Sequence, residues 1–269
     1  MPELKEGKVK EKKPFYKRWW FIAIVALFVL SLFSSLGDND KGNASNPPES
    51  SANVSSVGSP APTASAAPSE APTTPTTINF NAELSSGHYT AGIDFPAGKY
   101  DIEAVAGGGN VISDNAFSGG INAVLGVAEK NQEIGTDMYE QKYSNIDLPE
   151  GAKLSISGVT VKISSDNASG TPLQTRNQAI TETIDLGNGN FVAGTDFPAG
   201  IYDIVAVSGG GNVNTDNMMN GGINAVLGVS SKNQELGSDM YEQEYKNVEF
   251  PEGTTITISG VQIQLVPSK

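Results

Sequence analysis

The 269-residue chain contains no cysteine, and this absence excludes several kinds of chemistry. Without a thiol there is no disulfide bond, no thiolate nucleophile, no thiolate metal site and no lipidated cysteine. Histidine is almost as scarce, because His88 is the one residue of its type. Ser-His-Asp and Cys-His catalysis both need a base of suitable pKa. We therefore predict no enzymatic activity, no catalytic residues and no cofactor, and we expect His88 to be an exposed loop residue.

Basic residues are scarce beyond the first 36 positions. Residues 37–269 carry ten of the 17 Lys and Arg residues and 27 of the 30 acidic residues, a net charge of −17. An acidic surface repels the phosphates of nucleic acids, so we expect no nucleic-acid partner. Cations, basic surfaces and neutral polymers are compatible with such a surface.

One long apolar run, Trp19 to Leu36, contains no charged residue over 18 positions, which is enough to cross a membrane. Four basic residues precede it, and Asp38 and Asp40 follow it. This charge bias predicts a basic cytoplasmic tail at 1–18, an uncleaved transmembrane signal anchor at 19–36 and extracytoplasmic C-terminal domains. The predicted location is the plasma membrane, with a single pass. A cleaved signal peptide is the alternative, although no A-x-A-like site follows the run.

Residues 37–77 are rich in Pro, Ser, Thr and Ala. A segment of this composition buries too little apolar surface to offset the entropy cost of ordering. Its proline residues favour an extended chain. We predict a disordered stalk.

The rest of the chain is an internal repeat. "DFPAGKYDI" begins at Asp94, and "DFPAGIYDI" begins 102 positions later at Asp196. The two segments around these phrases align without a gap, with about six in ten positions identical from Leu84 and Leu186 onward. A period of this length fits tandem domains rather than a solenoid. The predicted units are repeat 1 at 78–163, a linker at 164–179 and repeat 2 at 180–269.

Alternating apolar and polar residues predict β-strands in both repeats. In "KYDIEAVAG", Tyr100, Ile102 and Ala104 share one side of a strand, and Asp101 and Glu103 share the other. The same period of two occurs in "KLSISGVTVKI" and in "TITISGVQIQL". The predicted fold class is all-β, with two tandem β-sandwich-like domains after the transmembrane helix and the stalk.

Four x-Pro-x-Gly segments precede alternating strands: two "FPAG", one "LPEG" and one "FPEG". They predict type I turns with Pro at position i+1 and Gly at i+3, and inward-packed Phe95 and Phe197. The "GGGN" segments predict wide turns between strands. "EIGTDMYEQKYSN" is compatible with a short helix capped by Asp137 or with a strand, and we favour the strand.

These motifs carry a resemblance. The pattern consists of D-F/I-P-A-G-x-Y, then "GGGN", then N-x-x-x-P-x-G-x-x-x-x-I-S-G before a terminal strand. It resembles an uncharacterised β-domain of extracytoplasmic proteins in Gram-positive bacteria. The matching residues of repeat 1 are Asp94–Gly98, Tyr100, Asn145, Pro149, Gly151 and Ile156–Gly158. Those of repeat 2 are Asp196–Gly200, Tyr202, Asn247, Pro251, Gly253 and Ile258–Gly260. The resemblance covers two tandem copies and implies a surface location and a β-fold, with no established activity.

The leading functional interpretation is non-catalytic binding or adhesion at the cell envelope, to a polysaccharide or a surface protein. Tyrosine rings and side-chain amides suit such ligands, although core packing is an equal alternative for the tyrosines. The candidate contacts are Asn131, Gln132, Tyr139, Gln141, Tyr143, Asn233, Gln234, Tyr241, Gln243 and Tyr245. One alternative is an envelope sensor or scaffold that signals through the basic tail, and another is an envelope hydrolase.

The acidic residues do not form a known metal motif. Calcium coordination by Asp114, Asn115 and Asn122 is an open alternative, but no D-x-[DN]-x-[DN]-G loop is present. We predict no specific metal site.

Overall fold

The computed structural model describes residues 76–269, which belong to one compact unit. The predicted tail and anchor, and the stalk up to residue 75, lie outside the described residues. Between residues 76 and 269, no helix has the length and apolar character needed to span a bilayer.

The described residues form an all-β fold, as predicted, in which each repeat has six strands and one short helix. Repeat 1 contains β1 (Thr77–Leu84), β2 (Gly87–Thr90), β3 (Gly98–Ser113), β4 (Asn122–Gly126), α1 (Ala128–Ile134), β5 (Lys142–Leu148) and β6 (Lys153–Ser169). Repeat 2 contains β7 (Ile184–Leu186), β8 (Gly189–Val192), β9 (Gly200–Thr215), β10 (Asn224–Gly228), α2 (Ser230–Leu236), β11 (Glu244–Phe250) and β12 (Thr255–Pro267). Strand β6 continues to Ser169, inside the segment predicted as the linker.

Two long antiparallel strands, β3 and β6, form the centre of repeat 1. Strands β1 and β2 pair with β6, and β4 and β5 pair with β3. Repeat 2 repeats this arrangement around β9 and β12. Each repeat encloses its own hydrophobic core, built from its own residues. The predicted inward side of β3 is correct, because Tyr100, Ile102 and Ala104 are buried.

The prediction of a wide turn at "GGGN" is wrong, because these residues lie inside β3 and β9. Gly107 has a φ of 72°, and the register with β6 shifts on both sides of it. A Cβ on Gly109 would lie 1.9 Å from the carbonyl oxygen of Ser157. The glycines therefore allow β3 to bulge while it passes very close to β6.

The predicted turn type at "LPEG" and "FPEG" is also wrong. Ala152 N–H donates to the Pro149 carbonyl at 2.9 Å, and the intervening Gly151 has a φ of 81°. This is a type II geometry with Pro at position i and Gly at i+2. In "FPAG", Gly98 is favoured because there is little room for a side chain, and not because its φ is positive. A Cβ at this position would lie 3.0 Å from the Cα of Ala168.

The repeated phrase that begins at Asp94 forms a corner of the fold. Phe95 is fully buried, as predicted, and its ring packs edge-on against Tyr100 at 5.5 Å. The Tyr100 hydroxyl donates back to the Pro96 carbonyl at 2.5 Å. Tyr202 makes the same bond to Pro198 at 2.8 Å. The phrase recurs because each of its side chains fixes the same corner in both repeats.

The segment "EIGTDMYEQKYSN" contains neither a helix capped by Asp137 nor a strand along its whole length, so the favoured strand is correct only from Lys142 onward. Helix α1 ends at Ile134 and is followed by Gly135 in the left-handed conformation, and β5 begins at Lys142. Asp137 lies in the connection between them and caps no helix, so that part of the alternative is wrong.

The two repeats are joined by one parallel strand contact. Gly87 of β2 lies opposite Lys246 of β11, and Lys246 N–H donates to the Ser86 carbonyl at 2.9 Å. This contact connects the twelve strands of residues 76–269 into one sheet path. A Cβ on Gly87 would lie 2.8 Å from the Lys246 backbone, so glycine permits the close approach. We call the contact region between the repeats the junction.

Candidate functional site

His88 lies on β2 at the junction, so the prediction of an exposed loop position is wrong. Its Nε2 is 2.7 Å from the Gly222 carbonyl oxygen of repeat 2 and its Nδ1 is 2.9 Å from the Ser155 hydroxyl. Because a carbonyl only accepts, Nε2 carries the proton and Nδ1 accepts from Ser155. The imidazole also contacts the Tyr245 ring at 5.5 Å. Burial lowers the pKa of His88 below its ordinary value of 6.5.

The equivalent of His88 in repeat 2 is Asn190, and this difference in sequence between the repeats falls at the junction. Asn190, the equivalent residue of repeat 2, accepts a hydrogen bond from Thr257 of its own repeat at 2.8 Å. His88 instead bonds across to the second repeat. The sequence comparison recorded the replacement, but it did not indicate that the position lies at a contact.

A buried ion pair fastens the linker to the junction. Arg176 Nη2 lies 2.5 and 2.6 Å from the two carboxylate oxygens of Asp94. The exposed fractions of the two side chains are 7% and 13%. Asp94 also accepts from Thr90 N–H at 2.7 Å and from the Asn247 amide at 3.4 Å. One carboxylate therefore contacts repeat 1, the linker and repeat 2.

The linker is held at both ends as well. Gln174 N–H donates to the Gly92 carbonyl of repeat 1 at 2.8 Å. The Gln178 amide donates to the Ile201 carbonyl and accepts from Ile201 N–H, at 3.1 and 3.0 Å. These contacts fix the linker against both repeats.

A cleft of about 250 Å³ lies at the junction, between His88 and Arg176 on one side and the 219–221 loop of repeat 2 on the other. Hydroxyl and amide groups from Ser155, Asn220 and Asn247 line it. Met219, which is 92% exposed, adds an apolar surface. The cleft is lined by residues of both repeats and of the linker between them.

Two carboxylates in the cleft are held by one lysine. Lys153 Nζ lies 2.8 Å from Glu249 Oε1, and the Lys153 N–H donates to Asp114 Oδ1 at 3.0 Å. Within residues 76–269, no group of three or more Asp, Glu or His side chains has the spacing of a metal site. Lys153 and Arg176 of the cleft are each in an ion pair, whereas Asp114 accepts a backbone N–H, and the hydroxyl and amide groups of the cleft can donate and accept hydrogen bonds.

Glu242 is a junction residue that sequence reasoning missed. It faces Ser86 and Gly158 of repeat 1, and burial raises its pKa above the ordinary value of 4.5. Its Oε2 is buried without a hydrogen-bond partner. The equivalent Glu140 is exposed. The sequence offered no signal here, because both copies have the same residue.

Four of the predicted contact residues fix the loop that follows α1 or α2. They are Asn131 and Tyr139 in repeat 1 and Asn233 and Tyr241 in repeat 2. The Asn131 amide donates to the Tyr139 carbonyl and accepts from Tyr139 N–H, both at 2.8 Å. Asn233 and Tyr241 repeat these bonds at the same distances. A Cβ on Gly108 would lie 2.7 Å from the Tyr139 ring, so the ring packs directly on the glycine backbone.

The other predicted contact residues are divided between two surfaces. Gln132, Gln141, Gln234 and Gln243 are exposed. Asn131, Gln132 and Gln141 together line a shallow depression in repeat 1. Tyr143 is 43% exposed, whereas its equivalent Tyr245 is 5% exposed because it lies in the junction.

No family model, curated protein or solved structure matches the chain.

Proposed function

We propose that this protein is a membrane-anchored surface protein that binds a ligand without catalysis at the cell envelope. The anchor at 19–36 and the stalk at 37–77 would present two β-sandwich-like domains outside the plasma membrane. The charge bias around the apolar run and the acidic C-terminal part support this location. The bends of β3 and β6 support a sandwich, because bulged strands pass from one layer of a sandwich to the other.

The junction cleft carries the proposal of binding. Small-molecule sites are concave and combine apolar surface with a few placed polar groups. The cleft has these features in Met219, Asn220 and Asn247, and it has room for a single sugar ring. Since both cationic side chains of the cleft are in ion pairs and its other polar groups are mostly hydroxyls and amides, a neutral, hydroxyl-rich ligand is favoured. We propose a saccharide unit of an envelope polysaccharide.

The arrangement of the carboxylates supports binding without turnover. A glycosidase needs two carboxyl groups at one bond, one of them with a raised pKa. The carboxyl groups of the cleft, Asp114 and Glu249, both contact Lys153. Glu242, whose pKa is raised, lies beside Ser86 in a different cavity.

A glycan array probed with the full-length, detergent-solubilised protein tests this function. We expect binding to an envelope polysaccharide, at least tenfold weaker after Asn220→Ala. The matched control is Ser118→Ala, the same loop position in repeat 1, which should bind like the wild type. Chromatography of the bound glycan should show an unchanged length. Shortened glycan, or equal binding by the two variants, would refute the proposal.

A further inference from the structure

The junction is built from two different faces. Repeat 1 contributes what we call the donor face, the segment Ser86–Thr90. Repeat 2 contributes what we call the acceptor face, β11 together with the 216–222 loop. Because the repeats share one fold, each has a face of both kinds, and the junction uses one of each. The acceptor face of repeat 1 and the donor face of repeat 2 are left over.

The unused acceptor face of repeat 1 exposes large apolar side chains. It consists of β5 and the 114–120 loop, the counterparts of β11 and the 216–222 loop. Phe117 in this loop is 100% exposed, but its counterpart Met219 is also 92% exposed beside the junction, so β5 carries the contact. Tyr143 is 43% exposed, whereas its counterpart Tyr245 is 5% exposed against repeat 1. Aromatic side chains are enriched at interfaces, so a tyrosine that is covered in repeat 2 and exposed in repeat 1 marks a surface that is free for a partner.

The unused donor face of repeat 2 is an open strand edge. It is the segment 188–192, which contains β8. Among residues 76–269, β8 pairs with β12 and with no other strand, whereas its counterpart β2 lies between β6 and β11. Such an edge is a ready template for a further strand. Asn190 is exposed on it at the position where His88 donates to Gly222.

We propose that the protein associates head to tail with a second copy of itself, through a repetition of its own junction. The donor face of repeat 2 in one molecule docks on the acceptor face of repeat 1 in the next. Gly189 then lies beside Ser144 as Gly87 lies beside Lys246, and the Asn190 amide donates to the Gly120 carbonyl. A contact between two different faces leaves one face of each kind free on every pair, so association continues into linear chains.

This contact is weaker than the internal junction. Lys153, which pairs with Glu249 across the internal junction, is replaced by Thr255 on β12, so the contact between copies lacks this ion pair. The internal junction is also favoured by the tether between its repeats. We therefore expect reversible association that increases with protein concentration, and that crowding on a membrane enhances.

Two charged variants test the two faces separately, with the full-length protein in detergent followed by sedimentation velocity over a concentration series. Tyr143→Asp places a charge in the acceptor face, at the position where the counterpart Tyr245 is covered by the junction. Asn190→Asp places a carboxylate against the Gly120 carbonyl and close to Asp147. Each variant should weaken self-association at least tenfold while keeping the wild-type melting temperature. The control is Val105→Asp, because Val105 and its counterpart Val207 are 40% and 43% exposed and neither is covered by the junction.

Mixing the two variants gives the decisive result. The Tyr143→Asp chain keeps its donor face and the Asn190→Asp chain keeps its acceptor face. They should therefore form 1:1 dimers together and no longer chains, although neither associates alone. The proposal is wrong if the wild type stays monomeric up to its solubility limit, or if the mixture stays monomeric while Val105→Asp associates normally. It is equally wrong if either single variant associates like the wild type.

Discussion

His88 and Asn190 occupy the same position in the two repeats, and their neighbours explain the difference between them. The imidazole is long enough to donate across the junction to Gly222 while it accepts from Ser155. The shorter amide of Asn190 bonds within its own repeat to Thr257. Where two copies of a domain are otherwise so similar, an isolated replacement of this kind indicates a position whose neighbours differ between the two copies.

The pH dependence of folding should reveal His88. Burial is the main cause of its lowered pKa, and the Lys153 charge acts in the same direction, while the Gly222 carbonyl and Glu249 oppose it. A lowered pKa means that the unfolded chain takes up the proton more readily. The stability that neutral His88 contributes is therefore full above pH 6.5 and is lost as the pH falls below 6.5.

Thermal melting between pH 7.5 and pH 5 measures this effect. His88→Asn should be less stable than the wild type at pH 7.5, and the difference should shrink as the pH falls. Glu242, on the far side of the junction, titrates in both proteins, so the comparison cancels it. A difference that stays constant over this range would show that His88 does not titrate against the junction.

Alanine substitutions at two glycines measure separately the free-energy cost of a strained backbone conformation and that of a steric clash. Gly151 has a φ of 81° and open space around its Cα, so Gly151→Ala should cost about 1 kcal/mol. Gly109→Ala puts a Cβ 1.9 Å from the Ser157 carbonyl, in the centre of the β3–β6 pair, and should cost about 3 kcal/mol. Urea denaturation of the two variants gives both values. Similar losses would mean that β6 yields to the added methyl group.

At the scale of the element, the sequence predicted the strands far better than their connections. The period of two identified β3 and β6, because one side of each strand packs in a core. "GGGN" was misread as a turn, since glycine marks both a chain reversal and a close approach of two strands. The distance between β3 and Ser157 decides between them, and it is a tertiary property.

The candidate site was not predictable in the same way. The cleft and the junction depend on how two repeats meet, which no local pattern encodes. The replacements at His88 and Lys153 were visible in the alignment of the repeats, but without a structure they indicate no particular partner. Asn131 and Tyr139 were predicted as ligand contacts, and in the structure they form hydrogen bonds with each other.

The linker should couple the repeats through its single ion pair. Arg176→Gln leaves Asp94 buried with an unpaired charge, and breaking a buried pair typically costs about 3–5 kcal/mol. Lys153→Gln breaks an exposed pair at the same junction and should cost less than about 1 kcal/mol. Calorimetry should show a lower melting temperature for Arg176→Gln and a near-native one for Lys153→Gln. Equal effects would contradict the special role of the linker.

At the scale of the whole molecule, the net charge of −17 over residues 37–269 governs the response to cations. A diffuse acidic field attracts calcium weakly, whereas a specific site needs six to eight fixed oxygen ligands. We predict a small rise in melting temperature when excess EDTA is replaced by millimolar calcium, and that salt removes the rise by screening. A large, salt-resistant rise that Asp114→Ala abolishes would establish a specific site and contradict the prediction.

The pairing of β1 with β6 would have a mechanical consequence under the proposed N-terminal anchoring. Thr77 lies opposite Ser169 at one end of this pair, and Lys153 and Ser155, at the other end of β6, line the junction cleft. A pull between residue 77 and a ligand in the cleft runs along the strands, at right angles to their hydrogen bonds. Such a shear force acts on all the hydrogen bonds of the β1–β6 pair at once, instead of breaking them one after another. Strand β1 therefore begins at the end of the β1–β6 pair where a pulling force meets the greater resistance.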